Sequence, residues 1–166
     1  MNRFAFKIYN YLSANKTDNF FISPFSIMTA FAMTMVGARN LTESQMKTFL
    51  CLDVEQQDML QMFSNYFDVL NMVNNKDTTL TVANRIFVRL GLKLYQDFLN
   101  NVNTYFKSGV EFVDFNNGNE SARIVNGWVS GRTNNKINNL IDPSLFTPMT
   151  SMFLINAIYF KGKLDN

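Results

Sequence analysis

The chain of 166 residues contains no histidine and one cysteine, Cys51. Serine and cysteine nucleophiles ordinarily draw on an imidazole base, and a zinc site without histidine needs several cysteines, so hydrolase and metalloenzyme chemistry are excluded together. An intramolecular disulfide is excluded as well, which fits a reducing compartment. Cys51 follows Phe49 and Leu50 and reads as a small buried hydrophobe. The seven glycines nowhere approach GxGxxG or a P-loop, so nothing cradles a nucleotide and no cofactor is expected. Of the carboxylates, Glu111 and Asp114 lie three apart on an expected strand and leave on opposite faces. No enzyme is expected. Long apolar runs are also lacking: none approaches the ~20 residues of a membrane span. Lys7 and Asn10 interrupt the N-terminal run before it reaches signal-peptide length, which points to the cytoplasm. The net charge of +2 is small and its residues are scattered, so nucleic acid is not an expected partner.

What is present is core-forming material: 47% of residues are hydrophobic and 17 are Phe. The length is that of one ordinary domain. Phe4, Ile8, Tyr11 and Leu12 predict an amphipathic helix over residues 2–14. "FFI" predicts a short strand leading into Ser23 and Pro24, a good N-cap and a good first helical residue. From Phe25 to Ala38 nearly every face is apolar or small, so this helix is central and buried, with Gly37 able to end it. A shorter helix, capped by Asn40 or Thr42, and a longer one over about 55–73 follow. "TLTVANRIFVRL" predicts a strand, "YQDFLNNVNTYF" a helix, "VEFVDF" a strand and "ESARIVNGWVSGRT" a helix carrying the only Trp. "MTSMFLINAIYF" closes as a strand apolar on both faces apart from Asn156. An unpaired amide in hydrocarbon costs about 2 to 7 kcal/mol, so Asn156 requires a polar partner. No linker, repeat or low-complexity tract interrupts the chain, and residues 1–166 read as one unit.

The strings "NFFISPFSI", "LTVANRIFV", "VEFVDF", "IVNGWVSGRTNNKINNLI" and "LINAIYFKGK", in this order and at these spacings, resemble the serpin family, of intracellular or invertebrate or viral type. The resemblance covers residues 2–163. It implies an α+β fold in which a helical layer packs behind part of a large mixed β-sheet. It also implies a serine or cysteine protease as partner: an exposed loop is cleaved, inserts as an extra strand in the large sheet and drags the protease with it as a trapped acyl-enzyme. A native state that is not the most stable one available supplies the energy. Asn156 matches a position in the polar cluster, or shutter, that controls sheet opening, and its implied partners are Ser23, Ser26 and a histidine from a part of the pattern beyond residue 166. Asn126 and Trp128 match the helix that lies across the sheet.

A whole serpin is more than twice as long, and the reactive site falls beyond the end of this sequence. A Trp usually follows "FKGK", where this chain has Leu164, Asp165 and Asn166. The expectation is an N-terminal portion of an inhibitor that lacks its bait loop, with a truncated, non-inhibitory interaction or structural protein as the alternative. Its cut sheet edge is expected to self-associate or to recruit a complementary fragment. Some serpins bind heparin through the helix matching residues 55–73. Here no Lys or Arg occurs between Lys47 and Lys76, while Asp53, Glu55, Asp58 and Asp68 do, which argues against heparin at that surface. Arg85, Arg89 and Lys93 form the nearest positive group, read as a solvated strand end. Asn15, Asn40 and Asn119 head N-x-S/T sequons that matter only on a secreted chain, and the extracellular space, where most of the family acts, is the alternative to the cytoplasm.

Overall fold

The computed structural model describes residues 2–14 and 18–163. Four helices come first: α1 (Asn2–Ser13), α2 (Pro24–Gly37), α3 (Asn40–Leu50) and α4 (Gln56–Met72). Strands and helices then interleave as β1 (Thr78–Arg89), α5 (Gln96–Phe106), β2 (Gly109–Val113), α6 (Gly118–Arg132), a 3-10 turn at Pro143–Leu145 and β3 (Met152–Gly162). The α+β class and the order of elements agree with the sequence reading.

Ser23 starts α2. Its side chain accepts the backbone N–H of Ser26 at 3.3 Å, and Pro24 occupies the first turn, where a missing N–H costs nothing. Met28, Ala32, Met33, Met35 and Val36 of this helix are all buried, which is what an apolar surface on every side requires. Helix α4 buries Met59, Leu60, Phe63 and Phe67 at helical spacing, and Phe63 meets Phe106 of α5 with ring centroids 4.9 Å apart.

The sheet has the order β2-β1-β3. Because β1 and β2 run parallel, their connection must cross over, and α5 makes that crossing. Strand β3 returns antiparallel to β1, in register from Thr78 opposite Gly162 to Val88 opposite Met152. Alternation along this ladder splits the interior into two cores. Ile86 and Val88, with Met152 and Leu154, join α2, α4 and α5 on one face. Phe87, Phe153 and Ile155 join Val125 and Val129 of α6 on the other. The sheet is therefore the middle layer, with the early helices behind it and α6 across its front.

Four local expectations are corrected. Phe20–Ile22 form no strand: they join no ladder of the sheet, and Phe21 is 83% exposed. Helix α3 is capped by neither Asn40 nor Thr42. Arg39 holds the N-cap position without a side-chain bond, and Asn40 enters with a left-handed φ of 53°, which Asn tolerates. Cys51 is half-buried rather than buried, because it forms the left-handed C-cap of α3 with φ 54° and its side chain turns out of the helix face that Leu50 buries. Strand β3 is less buried than its composition suggests. Ile155 and Ala157 are covered, but Phe160 is 64% exposed, since its end of the strand pairs with Leu80 and its neighbours, a stretch of β1 that is itself only partly covered.

Gly118 opens α6 where a Cβ would lie 2.6 Å from the carbonyl oxygen of Pro143. Replacing it with Ala forces that backbone away from α6, and Gly118→Ala is expected to destabilise the chain by about 1 to 3 kcal/mol, read as a fall in the urea midpoint with unchanged slope. Phe63→Ala, in the centre of the rear core, should cost about 3 to 5 kcal/mol by the same measurement.

Candidate functional site

The register of β1 and β3 places Asn84 directly opposite Asn156. Both lie in phase with Ile86 and Leu154, on the face turned toward the early helices. Opposed residues in an antiparallel pair are the nearest neighbours that a strand side chain has. Asn156 Nδ2 accordingly donates to Asn84 Oδ1 at 2.5 Å. Asn84 is only 6% exposed, and its backbone carbonyl accepts the hydroxyl of fully buried Ser108 at 2.9 Å. The partner that Asn156 requires is thus another amide.

Ser23, Ser26 and Asn156 come from two elements that pack together, since α2 touches β3. The two serines are joined by the cap bond, but no hydrogen bond links either of them to Asn156. The Ser23 side chain is occupied as the α2 cap, and Ser26, 4% exposed, receives no bond from Asn156. The hydrogen bond that Asn156 makes is to Asn84, which the register sets directly opposite it. Asn84 escaped the sequence reading. An Asn within an apolar strand was its only signal, and its meaning depends on a register that neither strand specifies alone.

On the opposite face, Asn126 ties α6 to the chain leading into β3: its Nδ2 donates to the Ile141 carbonyl and its Oδ1 accepts the Ile141 N–H, both at 2.9 Å. Next along that segment, Asp142 accepts the hydroxyl and the N–H of Ser144, which hold its carboxyl below the usual carboxylate range. Trp128 packs edge-on to Phe87, with centroids 6.1 Å apart. Arg85 lies over the Trp128 ring at 5.4 Å and bonds Glu111 across the β1–β2 pair at 2.5 Å. Arg89 donates to the Pro148 carbonyl at 2.8 Å. Arg85 and Arg89 are therefore tied into the structure and are not a solvated strand end. Their partners sit far away in sequence, which is why this was not visible there.

Of the sequons, Asn15 lies outside the described residues. Asn40 and Asn119 are exposed, but the hydroxyl of Ser121, third residue of the Asn119 sequon, is buried and donates to the Asp114 carbonyl at 3.0 Å. Among the described residues no cluster of His, Cys, Asp and Glu could hold a metal ion, and no helix is long and apolar enough to cross a membrane.

The amide pair makes a quantitative prediction. Asn156→Ala strands the Asn84 oxygen and should cost about 1 to 3 kcal/mol in urea unfolding. Asn84→Leu combined with Asn156→Leu removes both amides, and the cycle through the single variants should return a coupling of about 0.5 to 3 kcal/mol. A coupling of zero would show that the two side chains act independently.

Strand β3 pairs with β1 along one side, and among the described residues no strand pairs with its other side. The Serpin (serine protease inhibitor) family model matches residues 1–166. Serpin B6 of Bos taurus is 35% identical, aligned over 98% of this chain and 44% of its own length. Antithrombin-III of Mus musculus is 33% identical over 97% of this chain and 36% of its own length. Among solved structures, one titled "Cleaved Serpin 42Da" superposes with a TM-score of 0.86 at 32% identity, covering 96% of this chain and 42% of that one. Cleaved kallistatin complexed with heparin also superposes with a TM-score of 0.86, at 27% identity, covering 95% of this chain and 47% of that one. The chain spans less than half the length of these relatives. With the family model matched from end to end and the fold superposing on solved members, the chain belongs to the serpin family.

Proposed function

We propose that this chain supplies the first part of an inhibitor that traps serine or cysteine proteases by inserting a cleaved loop into its sheet. The observation that carries the reading is the match to the serine protease inhibitor family over residues 1–166, together with the long β1–β3 ladder, in which no strand of the described residues pairs with the other side of β3. In this mechanism the protease supplies the nucleophile. The inhibitor supplies a loop, from outside these 166 residues, and a sheet able to accept it. Loop entry beside β3 adds a strand's worth of backbone hydrogen bonds, and that gain drives the displacement that disables the acyl-enzyme. The chain's part is mechanical, and it performs no bond-breaking of its own.

Ser23, Ser26 and Asn156 are proposed as the gate, with Asn84 as an added member. Support comes from the packing of α2 against β3 and from the amide bond that holds β3 to β1 beneath it. Any sliding of β3 along β1 during insertion would break that bond. Asn126 and Trp128 are proposed to keep α6 seated on the sheet front. No polyanion activation through α4 is proposed, since Asp58 and Asp68 lie on that helix without a compensating Lys or Arg.

A second reading, in which the chain acts by itself as an interaction protein, is favoured by the same open strand and by the exposed ring of Phe160 beside it. The two readings separate experimentally. A chimera of residues 1–163 with the remainder of bovine Serpin B6 is expected to form an SDS-resistant complex with a serine or cysteine protease, and the 166-residue chain alone is not. A folded chimera that every protease merely cleaves would defeat the inhibitor reading. Concentration-dependent dimerisation of the chain in light scattering would then support the second.

A further inference from the structure

Three buried side-chain nitrogens have no hydrogen-bond partner among the described residues: Asn84 Nδ2, Arg85 Nε and Trp128 Nε1. All three belong to residues lining one groove of about 240 Å³, which runs along β1 before β2 begins to pair with it. Orphaned buried donors are rare in native proteins, because each forfeits its hydration without compensation. Asn84 turns to the rear face of the sheet, while Arg85 and Trp128 lie together on the front face, so the front wall of the groove carries two unmatched donors side by side.

The charges around the groove agree with this. Arg85, Lys107 and Arg132 line it, and no Asp or Glu does. Glu111 pairs with Arg85 from outside the lining and offsets part of that one charge. Lys107 and Arg132 are exposed and make no ion pair or side-chain hydrogen bond with a described residue. Gly109 contributes space as well: a Cβ there would stand 3.3 Å from the Arg85 guanidinium and narrow the approach to it. A wall that offers N–H donors and positive charge without a carboxylate suits an acceptor-only, negatively charged ligand. The volume is ample for one or two tetrahedral oxyanion groups.

We infer that this groove is a binding site for a small oxyanion of two or more charges, of the phosphate class, held by Arg85, Lys107 and Arg132 beside the Trp128 ring. The site is separate from the open side of β3, since β1 lies between them. It therefore stands whether or not the inhibitor reading does.

Trp128 is the only tryptophan, so its fluorescence reports on the groove directly. Titration of the chain with inorganic pyrophosphate is expected to give a saturable change in Trp128 emission that KCl at matched ionic strength does not reproduce. Lys107→Gln combined with Arg132→Gln alters two exposed side chains and should keep the fold, checked by circular dichroism, while weakening pyrophosphate binding at least tenfold. Emission that follows ionic strength alone would overturn the proposal and leave water as the acceptor of these donors. Equal affinity in the folded double variant would overturn it too, by placing the anion elsewhere.

Discussion

Pairing between β1 and β3 organises the rest of the molecule. The ladder runs nearly the whole length of both strands and fixes which of their side chains face the early helices and which face α6. A slip of one residue would turn β3 over relative to β1 and exchange its two faces. Leu154 and Met152 would leave the rear core, and Ile155 and Phe153 would leave the front one. Asn156 would also lose Asn84 and face a front layer built from Val125, Val129 and the rings of Phe115 and Phe146. The amide pair is thus a register mark as well as a bond, one that tolerates no neighbouring alignment. A single polar position has this effect because a slip of one residue would set it opposite Ala83, which has no polar side chain, or Arg85, whose guanidinium is already paired with Glu111.

The front layer is fastened differently from the rear. Behind the sheet, α2, α4 and α5 hold by interlocked Phe, Met and Leu side chains. In front, α6 is bound to the segment that follows it through the paired bonds of Asn126 to Ile141 and through the close approach of Gly118 to Pro143. That segment runs straight into β3. Helix and strand are consequently coupled along the chain as well as through the sheet, and a displacement of β3 would be felt by α6 through its own connection. For a sheet proposed to admit another strand, this means the cover and the strand it covers form one mechanical piece.

Much of this was readable from sequence where the chemistry is local. Ser23 followed by Pro24 announces α2 because cap and first turn need only adjacent residues, and a longer helix over about residues 55–73 is read where α4 forms. The two faces of β3 could be assigned from alternation alone. Legibility ended where a residue's meaning depended on a distant partner. Asn156 was marked as needing one, but the choice between a serine on α2 and an asparagine on β1 rests on strand register. Arg85 was taken for a solvated charge because Glu111 and Trp128 are far off along the chain. Phe20–Ile22 have strand propensity, yet propensity alone supplies no ladder, and these residues pair with no strand.

The seam between the two long strands is held by carboxamides, which neither gain nor lose a proton in ordinary buffers. Histidine is the one side chain whose unperturbed titration falls between pH 5 and 8, and this chain has none. Acidification across that interval therefore changes the charge of neither Asn84 nor Asn156: the bond between the two amides carries no response of its own to a mild drop in pH.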